Sequence, residues 1–491
     1  MMSPLNRRVA AATAAALLSV PVLCAAQTQS DPANNLPTAT PIKHVILIIG
    51  ENRTFDEVFG TYKPREGQHV WNLRSEGILN ADGSPGPNFY KAQQWLATDT
   101  SGYSIHPGKT APYAALEAIS TSGTPASAPF TSAAAAQAVE PALPADYYPY
   151  LADGGSGLPS GTTIDPRFPG DLPNGPFDIT HYLSYDDYAG SPVHRFFQMW
   201  QQLDCNVAVA TTGNPSGCQN DLFAWVEAST GAGSNGKPQP AGYDQPGHHE
   251  GPVAMGMYNA AQGDFPYFTQ LANAYAVSDN YHQAVMGGTG ANHLAIGYGT
   301  TIYYADANGN PATPPANQIE NPDPQPGTNN FYSQDGYGGG SYVECVDGHP
   351  ASSKGELLEG FARKIIDMVK ANPSLWKDTA IMITADEGGG YYDSGYVQPI
   401  DFFGDGTRIP MIVVSPYSRH VGVVHTYDDH VSFDKFVEAN WKVGTISRWS
   451  RDNLPDPVAS RKDPYVPRNS PAIGDMMDMF HFDHDRDGDR D

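Results

Sequence analysis

The run HVILIIG (His44–Gly50), followed at once by the polar triplet Glu51-Asn52-Arg53, decides the fold class. An unbroken stretch of β-branched and aliphatic residues reads as a strand buried on both faces, and its abrupt polar exit puts Glu51 and Asn52 at the carboxyl end. Two later runs have the same character, TAIMIT (Thr379–Thr384) and IPMIVV (Ile409–Val414). Helical spacing covers Pro192–Leu203, Phe265–Tyr275, Glu356–Ala371 and Val431–Trp441. Apolar strands alternating with amphipathic helices predict an α/β sandwich around a mostly parallel sheet. Between about Pro64 and Gly175 the chain turns to Gly, Pro, Ser, Ala and Tyr without a sustained period. That stretch reads as a long loop-rich insertion, with a short helix in the Ala-rich segment Ser132–Ala142.

Composition narrows the classes of function. The 491 residues carry a net charge of −25, which excludes a basic nucleic-acid binder, and 40% are apolar, which excludes a disordered chain. Residues 1–26 read as a secretory signal peptide: Arg7-Arg8, an apolar run from Val9 to Leu23, then Cys24-Ala25-Ala26. The arginine pair leaves a twin-arginine form of that signal open. No later stretch is apolar for the length of a membrane helix, so the mature chain is expected in the periplasm or outside the cell. In an oxidising compartment Cys205 and Cys218 are the preferred disulfide, and Cys345 is left without an assigned partner. The tail 481–491 is acidic and begins like a calcium loop, but it ends before the position-12 glutamate. By length the chain between signal and tail, 27–480, reads as one large domain with insertions, or as two to three domains.

Chemistry gathers where strands end. Glu51-Asn52 follows the first strand and Asp386-Glu387 follows the second. Sites in open α/β sheets form beyond the carboxyl ends of strands, so adjacent strands would join three carboxylates and an amide into an oxygen-rich pocket for a divalent cation. Taken alone, each pair also fits an ordinary polar strand exit. In MGGTGANH (Met286–His293) glycines flank Thr289 and leave its hydroxyl open as a nucleophile. GAGSNGK (Gly231–Lys237) has P-loop spacing, but Pro238 stands at the Ser/Thr position and no apolar strand leads in. No G-x-S-x-G elbow occurs.

Four blocks together, HVILIIGENRTFDEVFGTY, SDNYHQAVMGGTGANH, TAIMITADEGGGYYD and RIPMIVVSPYSR with YDDHVSFDKFVE, resemble the bacterial phosphoesterase family of non-specific phospholipases C and acid phosphatases of the A type. They occur in the family's order from about Ile42 to Trp441. The resemblance implies an alkaline-phosphatase-like, three-layer core and one divalent metal ion, of open identity, held by Glu51, Asn52, Thr289, Asp386 and Glu387. It implies Thr289 as the nucleophile of a phosphothreonine intermediate, with His194, His293 and His430 as phosphate-binding or proton-transfer groups. Asn292 and Asp429 match positions expected near substrate. Asn292-His293 matches the acid phosphatase branch, and Gly388 stands where phospholipases place His. The resemblance therefore points to a secreted phosphomonoesterase. A phospholipase C-type diesterase acting on phospholipid headgroups is the alternative, and a non-catalytic binding protein on the same fold is a third reading. Substrate, pH optimum and oligomeric state stay open, as does the part played by His248-His249.

Overall fold

The three apolar runs form adjacent strands at one side of a five-stranded sheet, the first of them at its edge. This computed structural model describes residues 35–482 except 99–104, 117–119, 122–127, 154–162, 165–166, 184–186, 231–250, 301–353 and positions 129, 140, 142, 188 and 191. The signal segment, Gly231–Lys237, His248-His249, Cys345 and the tail from 483 lie outside the described residues. The described residues from Pro37 onward belong to one compact unit.

The sheet strands are β1 (His44–Gly50), β2 (Ala276–Ser278), β3 (Thr379–Ala385), β4 (Met411–Val414) and β5 (Gly422–Val424), in spatial order β1-β3-β4-β2-β5. β1 and β3 are parallel in full register, His44 opposite Thr379 through Gly50 opposite Ala385. β4 runs antiparallel to both neighbours, and β2 and β5 are parallel. Four of the five strands therefore run one way and β4 alone runs against them, so the sheet is mixed. The reason is the link from β3 to β4. Parallel neighbours need a crossover, usually a helix, whereas residues 386–410 contain no helix and return the chain at the same end of the sheet. Apolar runs report burial on both faces and carry no information on direction.

Alternate residues of β3 point into separate cores. Ile381 and Ile383 pack with Phe196, Met199 and Trp200 of α1 (Phe196–Leu203), Phe268 and Leu271 of α2 (Pro266–Ala274), and Leu358 and Ile366. Ala380 and Met382 pack on the other side with Phe436, Met479 and Phe480. The helix that begins at Thr289 is α3 (Thr289–Tyr298), Leu358 and Ile366 belong to α4 (Gly355–Lys370), and Phe436 belongs to α5 (His430–Trp441). Predicted and observed helices agree within a few residues. The 64–175 region is irregular, with a short helix at Ala133–Val139, yet Leu73, Leu79, Phe168 and Leu172 join the main core. Cys205 and Cys218 form the expected disulfide.

Loops at the carboxyl edge are tied by buried arginines. Arg408 donates from Nε to Asp393 at 2.8 Å, from Nη2 to Asp56 at 3.1 Å, and from Nη1 to the carbonyls of Trp71 and Asp279 at 2.6 and 2.9 Å. Asp56 also accepts from the Ser394 backbone at 2.8 Å, so one guanidinium joins the loop after β1, the loop after β3 and the end of β2. Removing one partner of such a buried set strands the other charges. Arg408→Met is expected to lower stability by about 3–5 kcal/mol in urea unfolding. A loss under 1 kcal/mol would show that the clamp does not hold these loops.

Candidate functional site

Register places the site. Because Gly50 pairs with Ala385 and the Asp386 N–H donates to the Gly50 carbonyl at 2.8 Å, Glu51-Asn52 and Asp386-Glu387 leave the sheet side by side. Asn52 adopts the left-handed region at φ 60°, which asparagine tolerates. Its backbone N–H then donates to Asp386 Oδ1 at 3.0 Å, and the Glu387 N–H donates to the same oxygen at 2.7 Å. Each of Glu51, Asp386 and Glu387 offers a carboxylate oxygen within 4.8 Å of the others.

Thr289 arrives from the other side as the first residue of α3. Its hydroxyl donates to Glu51 Oε1 at 2.7 Å. Gly288 precedes it as a cap without a side-chain hydrogen bond, so the positive end of α3 opens at the hydroxyl. Asn292 holds this turn. Its Oδ1 accepts from the Val285 N–H at 3.0 Å, and its Nδ2 lies 3.2 Å from the carbonyls of Val285 and Gly287 and 3.4 Å from Glu387 Oε2. Four residues on, the exposed His293 places Nδ1 2.9 Å from the Thr289 carbonyl, an acceptor, so Nδ1 carries hydrogen and Nε2 is left outward.

His194 is buried with Nδ1 on the Pro192 carbonyl at 2.7 Å and Nε2 3.3 Å from Glu387 Oε1. Five predicted metal-site residues, with His194, His293 and Asn292, thus converge through direct contacts. His430 and Asp429 stand behind them. His430 Nε2 donates to the Asp386 carbonyl at 2.6 Å, and Nδ1 accepts from the Tyr281 hydroxyl at 3.2 Å. Both ring nitrogens are engaged inside the protein, and burial pushes the imidazole down to about 4. Asp429 caps α5, accepting from the Val431 and Ser432 N–H groups at 2.8 and 3.2 Å. Neither is brought to the pocket as a substrate contact.

Gln283, which sequence reasoning missed, links the two halves: Oε1 accepts from the Gly388 N–H at 2.8 Å and Nε2 donates to the Val285 carbonyl at 2.6 Å. It lies in the quoted block with Thr289, but nothing in its residue type marked it. At Gly388 a Cβ would meet Thr407 Oγ1 at 2.2 Å and Thr54 Cγ2 at 2.8 Å, so the histidine of the phospholipase pattern has no room here.

The donor set fits a divalent cation. Both Oδ1 and Nδ2 of Asn52 are buried without a hydrogen-bond partner, an arrangement that costs about 1–3 kcal/mol per group unless a ligand engages it. Burial, with the Asp386 charge next in weight, pushes Glu51 up to about 9, and burial pushes Asp386 up to about 7. Carboxylates crowded this closely ionise together only beside positive charge, and the all-oxygen donors suit a hard ion.

A model of the phosphoesterase family matches residues 173–343 and 331–444, and the chain belongs to that family. It is similar to phospholipase C B of Mycobacterium tuberculosis, 28% identical over 148 residues that cover 24% of this chain and 25% of that protein. It is also similar to the non-hemolytic phospholipase C of Burkholderia pseudomallei, 24% identical over 25% of this chain and 19% of that protein. The hemolytic phospholipase C of Pseudomonas aeruginosa is 27% identical over 22% of this chain and 18% of that protein. The chain thus matches about a quarter or less of the length of these curated relatives.

Raised carboxyl values carry a sign for stability. Glu51 holds its proton to about 9 in the folded protein against an ordinary 4.5, so cation-free protein loses stability as pH rises through that window. A divalent cation competes with those protons, and its stabilisation grows with pH. Thermal melts with and without manganese should show a larger increase in Tm at pH 8 than at pH 5, and Asp386→Asn should remove it. An equal increase at both pH values, or in the variant, would contradict a site at these carboxylates.

Proposed function

We propose that this chain is an exported, metal-dependent phosphoester hydrolase on a three-layer, alkaline-phosphatase-like core, with Thr289 as nucleophile and a phosphomonoester as substrate. The observation that carries the reading is the contact of the Thr289 hydroxyl with Glu51, inside the same cluster that holds Asp386 and Glu387. Family membership supports the reaction class. Among the described residues no helix is long and apolar enough to cross a membrane.

In this reading Glu51, Asn52, Asp386 and Glu387 hold the cation beside Thr289. Bound there, it would supply Lewis-acid charge and favour the ionised hydroxyl. Glu51 orients the Thr289 Oγ, which attacks phosphorus; the new Oγ–P bond forms as the bond to the leaving oxygen breaks. The Thr289 proton passes to Glu51, and the leaving oxygen takes a proton from Nε2 of His293 in its imidazolium form. Water then attacks the phosphothreonine, the Oγ–P bond breaks, and inorganic phosphate leaves with Thr289 restored. The α3 N-terminus offsets charge on the phosphoryl oxygens, and His194 holds Glu387 from behind. His430, Asn292, Asp429 and Gln283 are positioning residues in this account.

A phospholipase C-type diesterase is the second reading, favoured by the names of the relatives. The closed space at Gly388 and the Asn292-His293 pair favour the monoesterase. A binding protein without turnover is less well supported, since every proposed ligand and nucleophile position carries a competent side chain. Hydrolysis of p-nitrophenyl phosphate and p-nitrophenylphosphorylcholine, measured side by side, separates these readings: the monoester should be turned over at least about tenfold faster, and Thr289→Ala should lose about 10³-fold or more. Faster diester turnover would favour the second reading, and an active Thr289→Ala protein would sink the nucleophile assignment.

A further inference from the structure

An exposed apolar surface adjoins the nucleophile helix. α5 ends at Lys442, whose left-handed φ of 57° turns the chain into the loop 442–449. Trp449 is 77% exposed there, and Val443 and Ile446 are 56% and 45% exposed. The loop is seated on the far end of α3: the Arg451 N–H donates to the Gly299 carbonyl at 2.7 Å, and Tyr298 beside it is 55% exposed. A ten-residue helix spans about 15 Å, so this surface lies one helix length from Thr289.

Arg451 carries the surface toward the catalytic turn. Two residues after Trp449, its guanidinium holds Asp401 through Nε at 3.0 Å and Nη2 at 2.7 Å. The next residue, Phe402, is 58% exposed, and the Phe403 carbonyl accepts from the Met286 N–H at 2.8 Å, three residues before Thr289. Exposed apolar groups of this size, carried on two loops joined by the Arg451–Asp401 ion pair, mark an interaction surface.

The charge of the loop says which partner. The chain as a whole is at −25, yet residues 442–449 contain Lys442 and Arg448 and no carboxylate. The Arg448 guanidinium lies 4.5 Å from the centre of the Trp449 ring, so cation and indole project as one unit. Trp with Val and Ile, flanked by Lys and Arg, is the composition of a segment at a bilayer interface, where rings sit at headgroup level and cations meet phosphates.

We infer that the loop 442–449, with Tyr298 and Phe402, docks this protein on a phospholipid bilayer surface. The inference extends the phosphoester reading to esters presented at a membrane and rests on that reading. Its test is co-sedimentation of the whole mature protein with sucrose-loaded vesicles of phosphatidylcholine containing phosphatidylglycerol. The wild type should sediment with the vesicles, and an Ile446→Ser, Trp449→Ser double variant should partition at least about tenfold less, with p-nitrophenyl phosphate hydrolysis unchanged. Both substitutions fall on exposed side chains, so folding is spared. A wild type that stays in the supernatant, or a variant that sediments equally, overturns the surface. Vesicle binding by a protein inert toward p-nitrophenyl phosphate would leave the surface standing while removing the hydrolase reading.

Discussion

Parallel pairing of β1 with β3, in the register that sets Gly50 against Ala385, is the constraint on which the rest depends. It forces two polar strand exits together and places Glu51, Asp386 and Glu387 within one small volume. Apolar packing on both faces of the strands sustains this crowding, because a one-residue slip would turn each strand's two side-chain sets to the opposite cores. The cluster is therefore a place where folding energy holds three carboxyl groups close, and burial pushes Glu51 and Asp386 toward their neutral forms. Thr289 belongs to that balance, since its hydroxyl is bonded to the same carboxylate whose charge is suppressed.

Precision at the site comes from groups that do not face it. Arg408 joins the loops after β1, β2 and β3, Arg451 joins the loop at 401–405 to Asp429 at the start of α5 and to the Ala284 carbonyl, and Gln283 bridges Val285 to Gly388. His430 fixes the Asp386 carbonyl, and so the direction in which that carboxylate leaves its strand. Side chains held by irregular loops gain rigidity from engaged buried donors and acceptors around them, as Arg408, Gln283 and His430 supply here. The glycine run 388–390 shows the same economy of space: at Gly389, φ 58°, a Cβ would stand 2.4 Å from the Asn52 Cβ.

Much of this was legible in the residues. Unbroken apolar runs and helical spacing located β1, β3 and β4 and the helices α1, α2, α4 and α5, though not α3, and polar pairs at strand ends pointed to the residues of the acidic cluster. The direction of β4 was not legible, since a buried strand reads the same either way. Nor were the separate duties of the histidines and of Asp429. A helix cap and a carbonyl anchor use the same side chains as an acid or base would, and the difference lies in what each ring nitrogen or carboxylate oxygen meets. Arg408 and Arg451 escaped notice because their partners are far away in sequence, as with Arg408 and Asp56 at a separation of 352 residues.

The central claim is that Thr289, presented by α3 to the acidic cluster, carries the phosphoryl group between two displacements. Acid quenching during turnover of a ³²P-labelled monoester, followed by peptide mapping, addresses it directly. The account predicts label on the peptide containing Thr289, at an occupancy that falls once substrate is exhausted. Label on another residue, or full turnover with no labelled peptide at the earliest quench times, would contradict it.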